Sequence, residues 1–564
     1  MASVASFGAM RGVRALRGPH RRGPVLEMRA LKRSVAAAAA ASREVDVLVM
    51  GGGPVGAEVA LSCAMLGRRV AVAEPRGLML AAPTGWVSKA LRQLGRDHGA
   101  PDGSRRVDWA IAEEYLAKTA GRALKLTANR FRDAELISGE GFEAPQVIKG
   151  SARFVGPHSA LVDGGEGETQ VSFAHAFIAV GSKSFRLPAL PWNEPESAGW
   201  LYDGDTIQGI GRVPRNLVVQ GGGTIATEYA FIFRALGAEV TLVMREEAVM
   251  AGCGMDSSIQ SAVMDRMRRV GIEVKPDSGI FSEVNPGPEG SVVLASSGEV
   301  IACDALLSAT GRIGLVDSVD ITAAGCDPPT RGGAAVDGAT MSCIGEGTGH
   351  IYAVGDCTGD GSFVTPQGLL STGLAEAIIA THDAFPDELE ARVGQLATYV
   401  SECPVAVWIE PTVSYVGATA ESALAEYGKE GYGEVKVFFL ETIKGCVERA
   451  KPYGRDEFLK LVYQVAEGSE NGRILGVHVF GSGASEFIHN AATLVNSRAT
   501  VWEVCRTVPP AVTVQDVMKM CCVRAAIDIT ARGKGPRPAI SIAGDTKAEV
   551  RAKLFNRNRP RSTE

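Results

Sequence analysis

Along residues 45–76, short apolar runs alternate with glycine-rich turns in a fixed order. Val45–Met50 is an almost unbroken apolar run rich in valine, the pattern of a strand buried on both faces of a parallel sheet. Gly51, Gly53 and Gly56 follow at G-x-G-x-x-G spacing, and Ala57–Leu66 then carries a helical pattern. A second apolar run, Arg69–Ala73, closes on Glu74. Strand, glycine turn, helix, strand and terminal acid is the order of a dinucleotide-binding unit. There the first glycine permits a tight bend, the second lets a pyrophosphate approach the backbone, and the third lets helix and strand pack closely. The helix amino terminus faces the phosphates, and Glu74 is spaced for the adenosine ribose hydroxyls.

The pattern returns over residues 213–245. Gly221, Gly223 and Ala226 form G-x-G-x-x-A after the strand NLVVQ, the spacing predicts a helix over Thr227–Leu236, and the next strand ends at Met244 and Arg245. No carboxylate stands at that strand end. An arginine there can pair with a 2′-phosphate, which places NADP(H) ahead of NAD(H). The alternative is that Arg245 is a solvated charge, with Glu246 and Glu247 working against a phosphate. Two dinucleotide units in one chain predict electron passage between a nicotinamide and a second, tightly held dinucleotide, for which FAD is the expected group. Phe177–Gly181, Leu306–Gly311 and Ile351–Asp356 add further strand-to-turn elements. Beyond residue 396 the strands VKVFFL, FLKLVYQVA and RILGVHVFG precede the helical patterns SEFIHNAATLV and VQDVMKMCCVRAA, an α+β arrangement.

Composition narrows the picture. The 564 residues leave room for several domains, and no apolar run approaches the roughly 20 residues of a membrane span. Residues 1–43 hold nine Lys and Arg against a single acid, Glu27, amid alanine and serine. That is the composition of an organellar transit peptide, with a mitochondrial destination expected, a plastid as alternative, and a merely disordered basic tail as the plainer reading. Residues 531–564 form a second basic extension, expected to be disordered. Between them the body holds 40 basic and 60 acidic residues, which argues against nucleic acid as a partner. The cysteines and histidines show no metal-ligand spacing, so no metal is expected. Cys521 and Cys522 are adjacent but lie in an apolar helical pattern, which favours core packing over a redox pair; His478 and His489 are read as structural.

The order of these elements resembles the pyridine nucleotide–disulfide oxidoreductase family, which includes glutathione reductase, dihydrolipoamide dehydrogenase, mercuric reductase and the soluble transhydrogenase. The resemblance runs from about Glu44 to Thr530 and implies an α/β protein: two Rossmann-like FAD/NAD(P)-binding domains plus an α+β dimerisation domain. The implied division is an FAD-binding domain over 44–198 and 326–395, an NAD(P)-binding domain over 199–325 and an interface domain over 396–530 that forms a homodimer. By the same resemblance Gly51, Gly53, Gly56, Glu74, Gly150, Asp356 and Thr365, with Pro366 beside it, would hold FAD. Gly221, Gly223, Ala226, Glu228, Arg245 and Gly311 would hold the nicotinamide dinucleotide. Lys89 and Glu228 match the family's pair beside the flavin–nicotinamide contact, where a cation helps stabilise reduced flavin. Thr224 replaces an aromatic that covers the flavin in glutathione reductase, and Thr412 replaces a common glutamate. GRIGLVDSV, from Gly311, and SKALR, from Ser88, are similar to the soluble transhydrogenase.

The chain departs from its disulfide-reducing relatives at two places. Their C-x-x-x-x-C pair corresponds to LMLAAPTGWVSKAL, with Leu80 and Gly85 at the cysteine positions. Their H-P-x-x-x-E couple corresponds to TVPPAVTVQD, with Pro509 and Val514 in place of histidine and acid. Leucine and glycine can form neither disulfide nor thiolate, so a dithiol relay at that centre is excluded. The expectation is an FAD-dependent NAD(P)H oxidoreductase that passes electrons to a small non-disulfide acceptor or a second nicotinamide. A non-catalytic FAD-binding scaffold or sensor, or a divergent dihydrolipoamide dehydrogenase-type enzyme, is the alternative.

Overall fold

The computed structural model describes residues 42–535 except 77–82, 139–141, 165–166, 331, 360–367, 388–401, 443 and 445–455. The basic leader up to residue 41, the tail beyond 535, Leu80, Thr365 and Pro366 therefore lie outside the described residues.

The first dinucleotide unit is built from β1 (Arg43–Met50), α1 (Pro54–Met65) and β2 (Val70–Ala73). The helix begins three residues earlier than the apolar pattern predicts. Gly53 caps it in extended geometry, and Pro54 supplies a pre-set φ where its missing N–H is no loss. After α2 (Pro83–His98) and the long α3 (Trp109–Ser138) come β3 (Gln146–Ile148), β4 (Ser151–Gly156), β5 (Ser159–Asp163) and β6 (Glu168–Ile178). The sheet runs in the order β3-β2-β1-β6-β5-β4. Strands β3, β2, β1 and β6 pair in parallel, while β5 and β4 turn back antiparallel. A short β7 (Ser182–Ser184) leaves this unit.

The second unit uses β8 (Leu201–Asp203), β9 (Asn216–Gln220), α4 (Thr224–Ala235), β10 (Glu239–Val243), α5 (Ser257–Arg269) and β11 (Ile272–Lys275). A small antiparallel meander, β12 (Phe281–Asn285), β13 (Ser291–Leu294) and β14 (Val300–Ala302), precedes β15 (Ala305–Ser308). The order β11-β10-β9-β15-β8 is parallel throughout, and its inner strands β9 and β15 are almost wholly buried, as a sheet covered on both faces requires. Strand β16 (Arg312–Gly314) pairs with β7, and β17 (Ile351–Ala353) then rejoins the first sheet beside β6. The second unit is thus inserted into the first.

The third unit follows α6 (Leu370–Ala384). Strands β18 (Val405–Val407) and β19 (Val413–Gly417), helix α7 (Ala420–Gly431), then β20 (Tyr432–Phe438), β21 (Phe458–Gln464) and β22 (Ile474–Phe480) give an antiparallel sheet, β18-β19-β22-β21-β20. Helices α8 (Ala484–Asn496), α9 (Val501–Cys505) and α10 (Val514–Ala531) complete it. Cys521 and Cys522 are fully buried against this sheet, and burial pushes both thiols well above the ordinary range. They pack as small hydrophobes. One apolar cluster joins all three units: Leu91 and Leu94 of α2, Phe233 of α4, and Val407, Phe458 and Phe480 of the third sheet. Among the described residues no helix is long and apolar enough to cross a membrane, and no group of three or more His, Cys, Asp or Glu could hold a metal ion.

Candidate functional site

The three glycines of the first turn have three different reasons to be glycine. Gly51 has φ +105°, and a Cβ on it would lie 2.3 Å from the Ala179 carbonyl oxygen. A Cβ on Gly56 would lie 2.0 Å from the carbonyl oxygen of Gly51, so helix and turn touch there. Around Gly53 nothing stands within 4 Å, and its backbone, φ −65° and ψ −177°, is open to any residue. What is left clear at Gly53 is space in front of the α1 amino terminus, as a pyrophosphate needs. Glu74 is buried beside this turn: one oxygen accepts the Gly52 N–H at 2.9 Å, the other accepts the Arg76 N–H and Nε at 3.0 and 3.1 Å. Gly355 lies against Val55 at the start of α1, and its N–H donates to buried Glu376 at 2.6 Å. This carries Asp356 to the same end of the sheet. The set fits the adenosine and pyrophosphate of a dinucleotide. Gly150 has a packing reason instead, since a Cβ there would lie 2.4 Å from the Asp163 carbonyl oxygen.

The second turn repeats the logic. A Cβ on Gly221, at φ +128°, would lie 2.4 Å from Ala309 O, Gly223 has open space, and Ala226 is fully buried where the first unit has its third glycine. Gly311, at φ +137°, also faces open space. Arg245 projects into solvent with its side chain 81% exposed and pairs with Glu246 at 2.9 Å.

Between the two turns the units meet at one carboxylate. Lys89 Nζ donates to Glu228 Oε2 at 2.8 Å, bridging 139 residues of sequence. The other oxygen, Oε1, accepts the backbone N–H of Trp408 at 2.9 Å, so α2, α4 and the β18–β19 connection are joined. The Trp408 ring lies 5.9 Å from Lys89 Nζ and 5.4 Å from the Arg92 guanidinium, within cation–π range. Arg92 in turn donates to Ile409 O at 3.0 Å and Thr412 Oγ1 at 2.8 Å. Thr412 is thus an uncharged acceptor for this arginine.

A second cluster surrounds Asp356. Its Oδ2 accepts from Ser182 Oγ at 2.7 Å, and Arg312 donates to Ser182 Oγ at 2.8 Å and to Asp205 at 2.9 Å. Sequence reasoning singled out Asp356 but neither Arg312 nor Trp408. Arg312 was visible only as the residue after Gly311. Trp408 acts on Glu228 through its backbone, which side-chain identity does not reveal.

Two glycine turns of the dinucleotide-binding kind in one chain are the arrangement of a two-nucleotide oxidoreductase. Comparison with known proteins supplies the family. Residues 45–384 match the pyridine nucleotide-disulphide oxidoreductase domain and residues 403–521 match its dimerisation domain. The chain belongs to that family, and it is an FAD-dependent NAD(P)H oxidoreductase. It is 28% identical over 471 residues, 81% of this chain and 92% of the relative, to a soluble pyridine nucleotide transhydrogenase of Marinobacter nauticus. A protein of the same name from Mycobacterium bovis is 28% identical over 464 residues, 79% of this chain and 90% of the relative. Among solved structures it is similar to the HOCl-induced flavoprotein disulfide reductase RclA from Escherichia coli, with TM-score 0.69, 19% identity, and coverage of 85% and 99%. LpdA from Mycobacterium tuberculosis gives TM-score 0.68 at 19% identity, covering 86% and 99%. At those identities the structures speak to fold alone.

The relatives correct one expectation. A mitochondrial or plastid destination was read from the basic composition of residues 1–43, but the matched relatives are soluble bacterial proteins, which points to the cytoplasm. Basic, alanine-rich composition is shared by transit peptides and by plain disordered tails, so it does not discriminate between them.

Proposed function

We propose that this chain exchanges reducing equivalents between nicotinamide nucleotides, or passes them to a small non-disulfide acceptor, without a dithiol relay. One observation carries the reading. From residue 64 to residue 252 the chain contains no cysteine, yet the Lys89–Glu228 pair in the same region is intact at 2.8 Å. The resemblance to soluble transhydrogenases across about four fifths of the chain supports nucleotide exchange as the specific form.

In this reading Gly51, Gly53, Gly56 and Glu74 hold the adenosine and pyrophosphate of FAD, with Asp356 towards the rest of the molecule. Gly221, Gly223, Ala226, Arg245 and Gly311 hold the nicotinamide dinucleotide. FAD supplies a two-electron carrier that serves each nicotinamide in turn. Lys89 keeps a positive charge beside the site where reduction places negative charge, and Glu228 keeps that lysine in place. The Trp408 N–H fixes the second oxygen of Glu228, so its carboxylate cannot rotate away. The dimerisation domain supports a homodimer.

The test is to mix purified protein with NADPH and the chromogenic acceptor thio-NAD, before and after alkylation of accessible cysteines. Exchange should survive alkylation, and glutathione disulfide and lipoamide should not be reduced. Loss of exchange on alkylation, with FAD still bound, would refute the thiol-free route.

A further inference from the structure

Nucleotide exchange, on the reading just given, asks one site to take two nucleotides that differ by a 2′-phosphate. The connection after β10 carries the means. Residues 244–250 are fastened against the second glycine turn on both sides: Met250 N–H donates to Gly222 O at 2.6 Å, and Met244 exchanges bonds with Lys275 O and Ser278 N at 3.0 and 2.8 Å. Gly279 packs so close to Arg245 that a Cβ on it would lie 2.6 Å from the Arg245 nitrogen. The backbone is therefore held, while the side chains of Arg245 and Glu246 project from it.

Glu246 lies beside the second turn as Glu74 lies beside the first. There the carboxylate meets the middle residue of the turn, Gly52, through its N–H. In the second unit the middle residue is Gly222, and Glu246 Oε2 lies 3.3 Å from the point a Gly222 Cβ would occupy. Glu74 follows its strand directly, whereas Glu246 comes three residues after Val243, so matching by strand end passes over it. Its other oxygen, Oε1, is paired with Arg245 at 2.9 Å. A carboxylate in this place takes the two ribose hydroxyls of NAD, and an arginine takes the 2′-phosphate of NADP.

We propose that Arg245 and Glu246 form an exchangeable pair that lets this one site read both nucleotides. With NAD(H), the ribose hydroxyls donate to Glu246 while Arg245 remains its counter-charge. With NADP(H), the 2′-phosphate draws Arg245 off Glu246, and the guanidinium stands between the two anions. Opening the pair costs little, because an ion pair with an 81% exposed arginine is weak and the phosphate offers a doubly charged, bidentate acceptor. A lone acid would repel the phosphate, and a lone arginine would leave the hydroxyls unread.

The experiment is calorimetric titration of the FAD-loaded protein with NAD+ and with NADP+, which reads binding without turnover. Arg245→Gln should weaken NADP+ by roughly tenfold, the low end for a charge-assisted contact at an exposed site, and leave NAD+ within about twofold. Glu246→Gln should act with opposite signs, weakening NAD+ several-fold and tightening NADP+. Arg245 is largely exposed and Glu246 only half-buried, and unchanged circular dichroism should confirm folding. Equal effects on both nucleotides, or none, would overturn the exchangeable pair while leaving nucleotide exchange standing. Failure of the wild type to bind either nucleotide would instead overturn the site assigned under the proposed function.

Discussion

Two glycines three residues apart, Gly53 and Gly56, should fail in opposite ways when replaced by valine. At Gly56 the new Cβ would lie 2.0 Å from the Gly51 carbonyl oxygen, against 3.4–4 Å for ordinary contact, so α1 and the turn must part by more than 1 Å. Such overpacking costs about 1–3 kcal/mol or more, roughly 2–4 °C per kcal/mol for a unit of this size. At Gly53 no atom lies within 4 Å and the backbone is already allowed, so only a change of helix cap remains, worth under about 1 kcal/mol. There the added side chain occupies the approach of the pyrophosphate. The assay is thermal melting of flavin-free protein with and without added FAD, alongside the FAD-to-protein absorbance ratio after purification. Flavin-free Gly53→Val should melt with flavin-free wild type yet gain nothing from FAD, because stabilisation by ligand needs binding to the folded state. Gly56→Val should melt several degrees lower before FAD is added. If Gly53→Val retains stoichiometric FAD, the open space at Gly53 is not the pyrophosphate site. If flavin-free Gly56→Val melts with wild type, the reading of the close approach is wrong.

Lys89→Met should slow bleaching of the flavin by NADPH and lower the melting point by the equivalent of roughly 1–2 kcal/mol. Glu228 is left buried with one partner, but Lys89 is 38% exposed, which discounts the usual cost of breaking a buried pair; an unchanged melt and rate would remove the pair from the site. Asp256, which caps α5 and pairs with Lys460 of β21 at 2.8 Å, predicts a pH dependence. Burial alone would raise its pKa, but the bonds from Lys460 and Ser258 outweigh it and hold the carboxyl below the usual range. A depressed carboxyl contributes stability that is complete above its unfolded value near 3.9 and is lost as pH falls through the folded value. The melting-point gap between wild type and Asp256→Asn should therefore be constant from about pH 5 to 7 and narrow only in stronger acid, with Glu434 and buried His478 as the other groups facing the pair. A gap that widens as pH falls below about 6.5 would assign the effect to His478, whose imidazole burial holds below its usual range and Asp256 pulls back up.

What could be read from the chain divides along a physical line. Both turns were legible because their constraint is local: Gly51, Gly56 and Gly221 meet carbonyl oxygens that the strand–turn–helix geometry always brings there. The Lys89–Glu228 bond spans 139 residues and was reached only through resemblance, since periodicity carries no such information. The starts of α1 and α4 were read three residues late because Gly53-Pro54 and Gly223-Thr224 look like loop until the phosphate-facing cap is recognised. Glu246 was weighed only as a charge opposing phosphate. Its place beside Gly222 depends on how residues 244–250 fold back, which Met250 decides through a backbone bond.

On the proposed reading no dithiol relay operates, and that changes what the scaffold must do. A relay stores electrons at a distance, whereas direct exchange depends on holding each nicotinamide at one fixed approach. Glu228 belongs to the nucleotide unit, yet one oxygen is held by Lys89 of the first unit and the other by the Trp408 amide of the third. Any rotation of the second unit must break both bonds. Asp256 and Lys460 add a second tether between the second and third units, and the shared apolar cluster fills the space between. On that reading the lysine assigned to the reacting centre, Lys89, is positioned by all three units.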